Sequence, residues 1–274
     1  MSHGRGPAPW LFLFGALGWT WTLIGLAALS GQSATDPAGL VLLICGGLGP
    51  VIVASVLVSR GYWDAALDRS WTAFLVRCLD PRTLSARGYL VIIALIGCVA
   101  LGPVVLDPAA DLAGVAAGPT TFLIIGAVFG ALEEPGWRGY AQEGLQRRCS
   151  VVTASLLIGL FWAAWHLPLF FVPGTYQAGL GLGTAAFWAF MLALVVGSPV
   201  YGWLYNRLGR VAFGAVLYHA GGNVARELLP DANPVIALGV EAALAAILVA
   251  AAWRWMRISR PSATAGSSRA PSCR

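Results

Sequence analysis

The sequence predicts an all-α protein, a polytopic membrane bundle of about eight transmembrane helices. Three observations carry that expectation. Hydrophobic residues make up 58% of the 274 and charged residues 11%, against roughly 25% charged in an average soluble domain, so there are too few charges to cover a water-facing surface. Mean hydropathy is +0.75. The acids and bases fall in short clusters between long apolar runs, as loops alternate with spans in a bilayer.

Crossing a hydrocarbon layer of ~30 Å takes about 20 helical residues. Runs of that length lie at roughly 10–29, 39–59, 88–106 and 119–146, and again at roughly 150–171, 183–205, 211–227 and 234–256. Each must be helical, because in lipid every backbone polar group needs an internal partner. The first run follows a short head bearing Arg5. With small residues from Ala16 to Ser30 and further spans behind it, it reads as a retained helix rather than a cleaved signal. Gly61 to Arg87 is too polar to span. Trp63, Trp71, Phe74, Leu75 and Leu79 can share one side of a helix lying along the interface, and a loop with a few aromatic anchors is an equal reading. Ser259 to Arg274, rich in Ser, Ala, Pro and Arg, is expected to be a disordered tail.

All 17 basic residues are arginine. With the N-terminus inside, fifteen of them fall on inner segments and Arg226 alone on an outer loop, while Arg138 lies within a span. Positively charged loops stay cytoplasmic, so both termini are expected there. The net charge of +5 does not point to nucleic acid, because the arginines flank membrane spans. The lysine-free, Ala- and Gly-rich composition suggests a bacterial source and hence a bacterial cell membrane. Cys45, Cys78, Cys98, Cys149 and Cys273 have no CxxC spacing and read as small buried hydrophobes. Glu143 and the inner-loop aspartates read as solvated, and Glu241 as a hydrogen-bonded structural acid.

Against this background the run ALEEPGWRGY at 131–140 stands out, since it puts Glu133, Glu134 and Arg138 inside a span. A charge at a helix centre costs on the order of 2.5–3.5 kcal/mol on insertion scales. Glu134 and Arg138, spaced i, i+4, can pair on one helix face, and Pro135 directly behind the carboxylates predicts a kink that exposes carbonyls. The run LFWAAWHLPLF at 160–170 places Trp162 and His166 on one face of the next span, and LYHAGGN at 217–223 does the same for His219 and Asn223. At ~1.5 Å per residue, Glu133 lies about 21 Å from Arg147, His166 about 26 Å from Cys149, and Asn223 about 20 Å from Arg210, so three helices bring polar groups to a similar depth.

A carboxylate, two imidazoles and an amide in one apolar layer suit the activation of water. Glu can act as general base, His can share the water or bind a metal, and Asn can hydrogen-bond an oxyanion. HExxH, a GxSG-like serine and a GxGD aspartate are all missing. The residues leave other readings open. One is a catalytically silent bacteriocin-immunity or scaffold protein of the same fold. Another is a proton-coupled transporter using Glu133, Glu134 and Glu241, although no inverted-repeat signal is present.

Glu133-Glu134-x-x-x-Arg138, the aromatic-x-x-x-His at 162–166 and His219-x-x-x-Asn223 resemble, in order and spacing, the three signature motifs of the CAAX prenyl protease 2 family. That family includes the CPBP (Abi) intramembrane endopeptidases. The resemblance covers roughly residues 120–226 of a transmembrane domain drawn at 1–258. It implies an intramembrane endopeptidase acting on a membrane-associated protein or peptide. Glu133 and His166 would activate the attacking water, His219 and Asn223 would complete the site by holding the oxyanion or a metal, and Glu134 and Arg138 would be the supporting pair. The six residues are expected to line one cavity open toward the inner face. Zn²⁺ held by His166 and His219, and water positioned with no metal, are both compatible with this spacing. The family often has Phe where this chain has Trp162, which reads as a mild aromatic exchange.

Overall fold

The computed structural model describes residues 5–64, 67–68, 70–109, 120–228 and 233–258, and the expected tail at 259–274 lies outside them. In chain order the elements are α1 (Pro9–Leu29), α2 (Pro37–Gly47), α3 (Gly49–Ser59), α4 (Trp71–Leu79), α5 (Ala86–Leu106) and α6 (Thr120–Glu134). A π-helical stretch, Pro135–Gln142, joins α6 to α7 (Glu143–Gln146). Then follow α8 (Val151–His166) with a 3-10 extension over Leu167–Phe171, α9 (Tyr176–Leu180), α10 (Ala185–Arg207), α11 (Phe213–Leu228) and α12 (Pro234–Met256). No strand occurs among the described residues.

The starts of these helices are written locally. α1, α2 and α12 open on Pro9, Pro37 and Pro234, where a fixed φ and a missing N–H cost nothing. α5, α8 and α10 open behind Ser85, Ser150 and Thr184, whose hydroxyls accept the N–H groups of Gly88, Thr153 and Phe187 and so satisfy donors that the first turn leaves free.

Among the described residues five helices are long and apolar enough to cross a membrane: α1, α5, α8 with its extension, α10 and α12. α2 and α3, bent by 45° about Leu48, make a sixth when counted as one broken span. The other two runs marked in the sequence are shorter as helices. α6 has 15 residues before the π-helix begins, and α11 has 16. The bend at Leu48 falls where Pro50, in the first turn of α3, has no N–H to return to the preceding turn. Gly46, Gly47 and Gly49 let α1 and α6 press against the broken span, since a Cβ at Gly46 would lie 2.7 Å from Ile24 and one at Gly49 2.6 Å from the Thr20 hydroxyl. The apolar residues divide between core and periphery. Phe12, Leu13, Phe74, Ile158 and Leu204 are fully buried, while Val105 is 77% exposed on the outside, as a lipid-facing side chain would be.

α10 packs between α8 and α12, α11 lies against α6 and α5, and α1 lies against α2 and α3. A ladder of amides runs through this packing. Gln142 Nε2 donates to Gln146 Oε1 (2.8 Å) and Ser155 Oγ (3.2 Å), and Gln146 and Asn206 exchange bonds of 3.2 and 2.6 Å. Gln142, Gln146 and Ser155 are wholly buried, so each polar group relies on a partner from another element.

The segment between α3 and α5 contains the short helix α4, with Phe74 and Cys78 buried and Leu75 and Leu79 packed on the core. Trp63 is buried too, but Trp71 is 47% exposed and leaves the expected face. Two acids read as solvated are buried. Asp68 pairs with Arg77 at 3.0 Å and accepts the Trp63 indole N–H at 3.0 Å. Glu143 receives Arg210 and the Tyr205 hydroxyl at 2.7 Å each. The partners of Glu143 lie 62 and 67 residues away, beyond what local polarity can show, whereas those of Asp68 lie only 5 and 9 residues away. Of the cysteines, Cys78 is buried, whereas Cys45 and Cys98 lie on the outside of the bundle.

Candidate active site

Glu133 and Glu134 end α6, and Pro135 follows. Proline has no N–H to return to the preceding turn and its ring clashes with the carbonyl four residues back. The helix responds by widening into eight π-helical residues rather than breaking in an open kink. This keeps Glu133, Glu134, Trp137 and Arg138 buried on one winding stretch.

The two carboxylates point into different networks. Glu133 Oε2 accepts two indole N–H bonds, from Trp162 at 2.8 Å and from Trp137 at 3.3 Å. Glu134 Oε1 accepts from Arg138 at 3.3 Å and faces His219 Nδ1 at 2.9 Å. A carboxylate oxygen pairs there with a ring N–H, so Nδ1 is the protonated nitrogen of His219. Arg138 spends a second nitrogen on the Ser198 hydroxyl at 2.9 Å, and its guanidinium lies 4.2 Å from the Tyr201 ring centroid and 4.9 Å from that of Trp162. Stacking between two rings stabilises a cation that burial would otherwise penalise. The sequence pairing of Glu134 with Arg138 is present as an ion pair of 3.3 Å with both side chains fully buried, and His219 joins it as a third member.

His166 ends α8. Its Nδ1 lies 2.9 Å from the Trp162 carbonyl, which can only accept, so Nδ1 carries the proton and a neutral ring keeps its lone pair on Nε2. The Trp162 ring stands edge-on to His219 at 5.1 Å and tilted to His166 at 5.9 Å. Glu133, Arg138, His166 and His219 thus all touch one indole, and Glu134 joins them through His219 and Arg138. Asn223 sits one turn beyond His219, where its Nδ2 donates to the Gly126 carbonyl of α6 at 3.0 Å. Gly130 permits this approach, because a Cβ there would meet the Ala220 backbone nitrogen at 2.9 Å. Glu241 pairs with Arg226 at 3.7 Å.

Sequence reasoning missed Trp137, Ser198 and Tyr201. Trp162 was read as a mild aromatic exchange for phenylalanine, yet it donates a hydrogen bond to Glu133 that phenylalanine has no means to make. A buried carboxylate one helical turn before a tryptophan was the available signal for Trp137. For a metal, both imidazoles hold Nδ1 on protein partners and leave Nε2 free, as metal-bound histidines commonly do. Among the described residues no three His, Cys, Asp or Glu side chains stand close enough to share one ion, whereas a catalytic zinc takes three protein ligands.

The fold and the site together define a polytopic membrane protein that keeps paired carboxylates and two imidazoles deep in its helical bundle. Residues 115–225 match the sequence model of the family described as Type II CAAX prenyl endopeptidase Rce1-like, and the three motifs from Glu133 to Asn223 fall inside that segment. Over this segment the chain is similar to that family. The CAAX prenyl protease 2 of Methanococcus maripaludis is 33% identical over 136 residues, which cover 48% of this chain and 49% of that protein. The chain therefore spans about half the length of the curated relative it matches.

Proposed function

We propose that the protein is an intramembrane endopeptidase that hydrolyses peptide bonds of a membrane-associated protein or peptide with water activated by Glu133 and His166. The observation that carries this reading is the arrangement of Glu133: both indole bonds fall on Oε2, so Oε1 is the oxygen left to take a proton from water. His166, with Nδ1 bound to the Trp162 carbonyl, offers Nε2 as a second acceptor for the same water. Attack on the scissile carbonyl forms the C–O bond and puts negative charge on the carbonyl oxygen. Asn223 has a second amide N–H besides the one given to Gly126, and Nε2 is the ring nitrogen of His219 not engaged by Glu134. The Asn223 amide is the donor for that oxyanion, and His219 Nε2 adds a second when the ring is the imidazolium, with both nitrogens protonated. Collapse breaks the C–N bond, and the proton held by Glu133 passes to the leaving amine. Glu134 and Arg138 hold His219 in place, as a carboxylate partner commonly orients a working imidazole.

The test is cleavage of a peptide library by the purified full chain in detergent. Glu133→Gln keeps the shape of the side chain and removes the base, and His166→Ala removes the second acceptor. Each is expected to lower the rate by about 10²- to 10⁴-fold with helical content unchanged. Equal cleavage by Glu133→Gln would end this reading. Metal analysis and chelation run alongside, and loss of cleavage restored by zinc would make His166 and His219 ligands of an ion.

A further inference from the structure

We infer that Trp162 is the positioning residue of the site, fixing Glu133 and His166 relative to each other through two different atoms of one residue. This rests on the endopeptidase reading above. The Trp162 side chain donates from Nε1 to Glu133 Oε2 at 2.8 Å, and its main-chain carbonyl lies 2.9 Å from His166 Nδ1. The first bond crosses from α8 to α6, and the second stays within α8. A base and an imidazole that must share one water molecule need a set separation, and here a single rigid indole on a helical backbone sets it.

Three further observations fit a spacer rather than a filler. The indole is itself held, with His219 edge-on at 5.1 Å, Tyr201 edge-on at 5.4 Å and the Arg138 guanidinium 4.9 Å from its centroid. Its N–H makes the shorter of the two bonds to Glu133, and Trp137 at 3.3 Å is the weaker donor. An apolar ring that only filled space would bring no donor to a buried carboxylate, whereas this one meets the requirement that a buried charge be hydrogen-bonded. With Oε2 pinned, the carboxyl plane is fixed and Oε1 cannot swing away from the water.

Trp162→Phe keeps an aromatic ring and removes the donor. An isosteric second variant puts 3-benzothienylalanine at 162 by amber suppression, replacing N–H with sulfur at nearly constant volume. Both are expected to lower kcat by 10- to 100-fold with KM within about twofold, because the carboxylate is misplaced rather than the substrate-binding surface lost. An activity-independent readout is the indole ¹⁵N–¹H resonance of Trp162, assigned by its disappearance in Trp162→Phe, which should move on Glu133→Gln. Wild-type rates for the isosteric variant, or an indole resonance indifferent to Glu133→Gln, would overturn the inference while leaving the endopeptidase reading intact. Full activity in Glu133→Gln would remove that reading and this inference together.

Discussion

Arg138 is the residue on which the buried charges depend. It is fully buried and supplies the only guanidinium among the described residues that pairs with Glu134. Its removal strands a carboxylate in an apolar bundle with His219 as the remaining hydrogen-bond partner. Breaking a buried pair in this way costs about 3–5 kcal/mol, so Arg138→Ala is expected to lower the thermal midpoint and yield together with activity. Thermal unfolding in detergent checks it, and a variant as stable as the wild type would show that Glu134 is not held charged by Arg138. Ser198→Ala removes only one bond to Arg138, for which the expected loss is about 0.5–1.5 kcal/mol. At this scale the sequence was informative about charge and silent about donors. Two glutamates and an arginine inside an apolar run announce themselves, whereas an indole N–H is invisible until its ring is placed, and Trp162 read as a mild aromatic exchange.

The three helices that build the site were legible from the i, i+4 spacing of their polar residues, because that spacing survives in a π-helix nearly as well as in an α-helix. The π-helix itself was not legible. Pro135 announces a disturbance, but whether a helix kinks or widens depends on what lies beside it, and here the Pro50 carbonyl would sit 2.6 Å from a Cβ at Gly136. The close seat of α11 on α6 depends on Gly130 in the same manner. A Cβ there would face backbone atoms of Ala220 at 2.9 and 3.0 Å, which cannot swing aside as a side chain can. Gly130→Val is therefore expected to push α11 outward, costing about 1–3 kcal/mol, and to weaken the His219 to Glu134 bond, with cleavage falling while α8 is untouched. Wild-type cleavage and stability in Gly130→Val would show that the two helices do not need this contact. The burial of Glu143 was hidden for a related reason, since its partner Arg210 lies 67 residues away.

For the molecule as a whole, composition decided the solvent and the arginines propose the orientation. Fifteen of 17 basic residues fall on the side assigned to the cytoplasm, so reporter fusions at Ser30, Arg87 and the C-terminus are expected to read outside, inside and inside. A C-terminal reporter found outside would reverse the assignment and the side from which substrate enters. The number of spans was less legible than their existence, because Pro135 turns the run at 119–146 into a π-helix after 15 residues of α6 and α11, at 16 residues, is short for a crossing. The amide ladder reaches past the finished structure to the order of its making. Gln142, Gln146 and Ser155 are synthesised 64, 60 and 51 residues before Asn206 of α10. Until α10 leaves the ribosome, Gln146 has no Asn206 with which to exchange bonds, and an amide buried without its partner is costly. The π-helix and α8 are thus better kept within the insertion machinery than released singly to lipid, so the half of the bundle that carries the carboxylates matures only when its second half arrives.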